Sequence, residues 1–415
     1  MKKILLIPII SLLLSGPALT GYYLSVITDT EIYWPAPLLA KPGYLETVLD
    51  PVFNTRLTRI VGNPGAAIPN LDGEVWADEQ LRHGYSKRQP WNADQTMLYL
   101  DRHDPELWID GNTYRPLFTR KNKPGTSLRW SPVEPRIMFY LGREGNEHLG
   151  RWDVVANQSE ELLDLRAYRD ISFGEGEGNF TWDGRRVAIC AVRRSDDHPV
   201  VFVADAAART KGPDIDISAL AELKNCTISP LGNYIVIGAD LDGSGSDRIQ
   251  VRSAVTGEIL WQENRYGLPS HFDTQVDEQG EEVIVGVGKT APYSGMIIKR
   301  RLADGAINVL VDQGYASHTS GRCIRRKNWV YVTYQIRDNS SWWPFRNEIV
   351  AVKLDGSRIE RLGNLHAIKF DYLAESHGCP SPDGTRVIFA SDWENGDFPV
   401  QAYVIDLRDK VIPAR

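Results

Sequence analysis

The sequence predicts an all-β protein, a seven-bladed β-propeller of four-stranded antiparallel blades. Three observations lead there. A tight turn followed by an apolar strand occurs seven times, at a spacing of roughly 48 residues, which is the period of a four-stranded propeller blade. After each such phrase comes a further strand and a hairpin turn, as in DRIQVRSAVTGEIL and NEIVAVKLDGSRIERL. The chain is also rich in turn formers and strand-forming aromatics, with 35 Gly, 24 Pro, 12 Trp and 17 Tyr. Its most helical stretch, DISALAELK, is short.

Taken in order, the chain begins MKKILLIPIISLLLSGPALTG. Two lysines, an apolar run and small residues predict a signal peptide over residues 1–21, with 22–415 as a single propeller domain. LLSGP resembles a lipoprotein box, but Pro17 stands where the lipidated Cys must be. The expectation is therefore a secreted or periplasmic protein with no membrane attachment beyond the signal peptide. TRLTRIV, from Thr55, is expected to pair with QAYVIDL near the C-terminus and close the ring, because an open ring leaves bare strand edges.

The seven phrases then follow. They are WNADQTMLYL from Trp91, WSPVEPRIMFY from Trp130, TWDGRRVAIC from Thr181 and SPLGNYIVIG from Ser229. DEQGEEVIVGV from Asp277, IRRKNWVYVTY from Ile324 and SPDGTRVIFAS from Ser381 complete the set. The net charge of −7 gives no basis for nucleic-acid binding, although YSKRQP and TRKNKPG are local basic patches suited to an anion. DLDGSGSDR, Asp240 to Arg248, lacks the closing Glu of a calcium loop and is read as a blade turn. The four cysteines are spaced too widely for a zinc ribbon; an exported chain could join Cys190 to Cys226.

In a propeller the segment before each turn is the innermost strand, lining the central channel. Residues two apart on a strand share a face. ESHGCPSPDG thus places His377 and Cys379 together, SHFDTQ places His271 with Asp273, and SHTSGRC places His318 with Ser320. Three successive inner strands each offer a histidine at nearly one height. His271, His318, His377 and Cys379 are the candidate ligands of one divalent metal, zinc or manganese, tying blades five to seven. A second group is LRHGYSKRQP, where His83, Tyr85 and Lys87 alternate along the first inner strand, with His103 after the next strand. A histidine, a tyrosine and basic residues suit acid–base work on an anionic substrate, and Lys87 and Arg88 are candidate binding residues. A third is AVRRSDDH, where Arg193 and Arg194 suit a carboxylate clamp; pairing with Asp196 and Asp197 is the plainer reading.

SPDGTRVIFASDW and WSPVEPRIMFY resemble TolB-type propeller repeats, an architecture shared by oligogalacturonate lyases and the propeller-type ulvan lyases. The resemblance spans the ring. It implies a lyase that cleaves a uronic-acid polysaccharide by β-elimination, with a metal held in the propeller. The ulvan lyases carry two active-site histidines in an early blade; His83 and His103, twenty residues apart, stand in that relation. By that resemblance His83 and His103 take base and neutralising roles, Tyr85 a secondary acid–base role, and Arg194 or Arg193 the carboxylate. Phe180 occupies the region of the family's later tyrosine, and the His-x-His motif of the oligogalacturonate lyases is not found. The expected partner is an anionic polysaccharide and the expected state a monomer. A non-catalytic TolB-like scaffold is the competing class, and it predicts an uncharged or apolar mouth.

Overall fold

The computed structural model describes residues 26–410 apart from 33, 35, 79, 175–176, 221, 241–247, 264–268, 315, 336–343, 369–373 and 397–399. The expected signal peptide and the stretch 241–247 lie outside the described residues. The described residues form a seven-bladed propeller with almost no helix. Six of the seven phrases supply the second strand of their own sheet, and the first, Met97–Leu100, lies at the inner edge of its sheet. In blade seven, for example, Arg386–Ser391 lies between Cys379–Pro380 and Val400–Asp406. These second strands read as apolar runs because both their faces are covered by neighbouring blades; Glu282–Gly288 and Trp329–Tyr334 are buried throughout.

In every blade but the second, the turn ahead of this strand carries one left-handed residue. Gly184, Gly232, Gly280 and Gly384 take it with φ of 73 to 82°, and Gln95 and Asn328 serve in blades one and six. Ring closure is as expected. Arg56–Arg59 pairs antiparallel with Val400–Asp406, Leu57 opposite Ile405, and Thr47–Leu49 adds an outer strand. Leu57 is buried among Val387, Phe389, Tyr403 and Ile405, a burial that stabilises by about 1.5–3 kcal/mol. The cysteines form no disulfide; Cys190 and Cys226 are thiols in one apolar cluster.

Blade one departs from the pattern. Its sheet has three strands, Met97–Leu100, Leu107–Asp110 and Pro116–Thr119. Residues 82–90, expected as the inner strand, form no strand; they fill the centre of the ring and bond to five other blades. The Trp130 indole donates to Pro90 O at 3.0 Å from blade two. Asn179 Nδ2 reaches Lys87 O at 3.0 Å from blade three. Tyr85 meets His271 of blade five, and Ser320 Oγ donates to Ser86 O at 2.6 Å from blade six. Gln89 Nε2 donates to Arg322 O of blade six at 3.0 Å and Pro380 O of blade seven at 3.1 Å. This plug satisfies inner-strand groups that would otherwise face an empty channel.

Candidate active site and metal centre

The three inner-strand histidines converge, but not from matched strand positions. His318 is a regular strand residue opposite Thr333. His271 sits in a β-bulge with φ 51°, and His377 precedes its strand with φ 46°. These left-handed residues re-aim the side chains, so that His271 and His318 rings lie 4.6 Å apart and His318 and His377 rings 4.2 Å. The bulge also sends Asp273 away from His271: its carboxylate takes the Arg322 guanidinium at 2.7 and 2.8 Å and Gly321 N at 2.8 Å.

Cys379 does not join the histidines. Its sulfur faces Ser320 Oγ and Arg88 O at 3.7 Å, and burial pushes the thiol far above its ordinary pKa, away from the thiolate a metal needs. Glu375 takes the place expected for Cys379. Its Oε2 lies 3.0 Å from His318 Nε2 and 3.5 Å from His377 Nε2, and one ligand atom from each of the three residues falls within 4.8 Å of the others. Burial holds His318 below its ordinary pKa and His377 well below it, the neighbouring His318, Arg82 and His83 further opposing a charge on His377. Both imidazoles are therefore in the neutral form that binds metals. Among the described residues, neither has a partner for its buried Nδ1.

The plug brings the group from LRHGYSKRQP onto this cluster. Tyr85 Oη is 2.7 Å from His271 Nδ1, and its ring lies 5.2 Å from that of His318 and 4.8 Å from that of His377. Lys87 sits 5.6 Å from the Tyr85 ring centre, is almost wholly buried, and pairs with Glu177. The two residues do not alternate along a strand, because 82–90 is not one. His83 is fully buried, with Nε2 2.7 Å from His377 O, and burial pushes its pKa down to about 4. It is thus held as a neutral ring behind His377. Arg82 Nη1 donates to Glu375 O at 2.8 Å.

The remaining candidates engage elsewhere. His103 has both ring nitrogens on backbone, Nε2 taking Ala77 N–H at 3.2 Å and Nδ1 facing Pro105 O at 2.7 Å, while its ring meets Trp76 edge-on. Arg194 donates to Tyr168 O at 2.8 Å and Glu147 at 2.6 Å. Arg193 grips Asp196 and Asp214. Arg88 reaches Asp101 at 3.4 Å. Sequence reasoning missed Glu375, Glu177 and Arg82. Glu375 had a signal, since it stands two residues ahead of His377 in the same phrase.

No family model matches the sequence, and no curated protein matches it. Among solved structures, an oligogalacturonate lyase in complex with manganese aligns with a TM-score of 0.63 at 14% identity, over 89% of this chain and 98% of that one. An oligogalacturonate lyase from Vibrio parahaemolyticus aligns with a TM-score of 0.59 at 13% identity, over 88% and 97%. TolB from Acinetobacter baumannii is matched over 66% of this chain with a TM-score of 0.38. At these identities the likeness is one of fold.

Proposed function

We propose that this protein is an exported lyase that cleaves a uronic-acid-containing polysaccharide or oligosaccharide by β-elimination, with a divalent metal, manganese or zinc, in the ring. The observation that carries the reading is the meeting of Tyr85, Lys87, His271, His318, Glu375 and His377 in one cluster. A binding scaffold would present an apolar mouth there instead. The signal-like N-terminus supports export, and the fold of manganese-bound oligogalacturonate lyase supports the substrate class.

The residues fit a metal. Two neutral imidazoles and a carboxylate, all buried, form a nitrogen and oxygen donor set suited to zinc or manganese. A divalent ion held by His318, Glu375 and His377 would supply Lewis-acid neutralisation of the uronate carboxylate, which acidifies C5–H. Tyr85 and His271 then move the proton. As the Tyr85 oxygen takes the C5 proton, it passes its own to His271 Nδ1; the C5–H electrons form the C4=C5 bond, and O4 leaves with the C4–O4 pair. The His271 imidazolium returns a proton to O4, so the proton balance closes. Lys87, paired with Glu177, packs beside the Tyr85 ring and helps hold it in place. His83 positions His377 through its carbonyl. His103, Arg193 and Arg194 have no step here.

The test is a near-ultraviolet time course on polygalacturonate, oligogalacturonates, ulvan, alginate and glycosaminoglycans. A rise on one of them identifies the unsaturated uronate and the substrate. Tyr85→Phe is expected to slow that rise by about 10²–10⁴-fold, the usual contribution of a positioned acid–base group, while leaving metal content intact. No rise on any substrate, with metal bound, rejects the reading.

A further inference from the structure

The two basic stretches that are separate in the sequence meet in one cleft over blades one and two. Its inner part, about 120 Å³, is lined by Arg88, Arg102, Lys123 and Ser127. It shares Arg102 and Lys123 with an outer part of about 500 Å³, which adds Arg120 and Lys121. That volume is in the range of small-ligand sites. Five cations face three carboxylates, Asp101, Asp104 and Glu106, in a chain whose net charge is −7.

The cleft opens on the same rim as the histidine cluster. Ser127, φ 55°, is the first bulge residue of the inner strand of blade two, the position His271 holds in blade five. Arg102 N–H donates to Arg82 O at 3.3 Å, and Arg82 in turn donates to Glu375 O. Two hydrogen bonds therefore join the cleft to the metal candidates. His103 finds its place here: it lies in the wall, and its two backbone bonds fix the 101–106 loop that carries Arg102.

We propose that this cleft is an anion subsite for the uronate units that flank the bond being cut. It rests on the lyase reading for the identity of the glycan. Arg120 is committed to the carbonyls of Val154 and Val155, and Lys123 to Glu106. The accessible cations are Arg102, which is exposed, and Lys121, whose side chain is 68% exposed and pairs with Glu74 at 2.9 Å. Carboxylates of a passing chain can pair with both.

The test is calorimetric binding of galacturonate oligomers of two and six units to the metal-loaded full chain, in a Tyr85→Phe background that suppresses turnover. The six-unit oligomer is expected to bind at least about tenfold more tightly than the two-unit one, the scale of two partly exposed charge-assisted contacts. In the added double variant Arg102→Ala, Lys121→Ala that advantage should shrink to about twofold or less, and raising the salt should erode it likewise. Lys121→Glu should remove it further, with the circular dichroism spectrum unchanged. An undiminished length advantage in the double variant overturns the subsite, as does its absence in the parent. A length advantage lost in the double variant, without any elimination by the wild-type chain, keeps the subsite and sinks the lyase reading. A sulfated oligomer that binds more tightly than galacturonate assigns the cleft to sulfate esters and overturns the uronate assignment.

Discussion

Glu375 packs its carboxylate between His318 Nε2 and His377 Nε2, both rings being held neutral by burial. A carboxylate beside two neutral imidazoles is a donor set that a divalent ion completes. Glu375→Gln keeps the shape and removes the charge. It should weaken metal affinity by at least about tenfold, read as metal per chain after dialysis, and elimination should fall with it. His366, far from this cluster in role, gives a second prediction. Its ring stacks on Trp393 at 4.3 Å, and burial holds its pKa below the ordinary value, with Glu394 and Asp50 opposing. The unfolded chain then takes up the proton first as pH falls below about 6.5. The stability His366 contributes is complete above that pH and is lost as pH drops through the folded pKa. Urea midpoints between neutral and mildly acidic pH should fall more for the wild type than for His366→Gln.

At the scale of elements, the strand that closes the ring and the plug that fills it behave differently under substitution. Thr58 lies in the middle of Arg56–Arg59, with Val404 on one side and Thr47 on the other. Thr58→Pro removes a donor from a strand paired on both edges, and should cost about 3 kcal/mol or more, seen as a lower denaturation midpoint. Gln89→Ala leaves the blades intact but strips Arg322 O and Pro380 O of a partner. It should cost about 1–3 kcal/mol and, by loosening Tyr85, reduce turnover more than substrate binding. The closure strand was legible because a strand-like segment ahead of the first blade and another after the last would each leave a bare edge unless they paired. The plug was not. LRHGYSKRQP alternates as a strand does, yet Gly84 sits against the Asp101 carboxylate, where an added Cβ would lie 2.4 Å from an oxygen. That contact, and bonds to five other blades, are decided by tertiary neighbours rather than by the stretch itself and leave no local pattern. The same limit hid Glu375. Alternation puts Glu375, His377 and Cys379 on one face, and only the left-handed turn at His377 decides which of them stay together.

For the whole molecule, the ring acts as a frame that gathers single residues from distant segments. His271, His318 and His377 come from three blades, and Tyr85 reaches them from residues that precede the first regular blade strand. Seven repeats were countable from turns and apolar runs, since each blade folds by local rules. The meeting of a tyrosine with three histidines was not, since it depends on the one blade that breaks the repeat. The most direct measurement is the rate of unsaturated-uronate formation on the best polyuronate by one preparation, first stripped with a chelator and then given back manganese or zinc. Loss of the rise on stripping and its return with metal, in wild type but not in Glu375→Gln, is the expected result. A rate indifferent to the chelator, or no elimination in any metal-loaded sample, would contradict a metal-assisted lyase at this site.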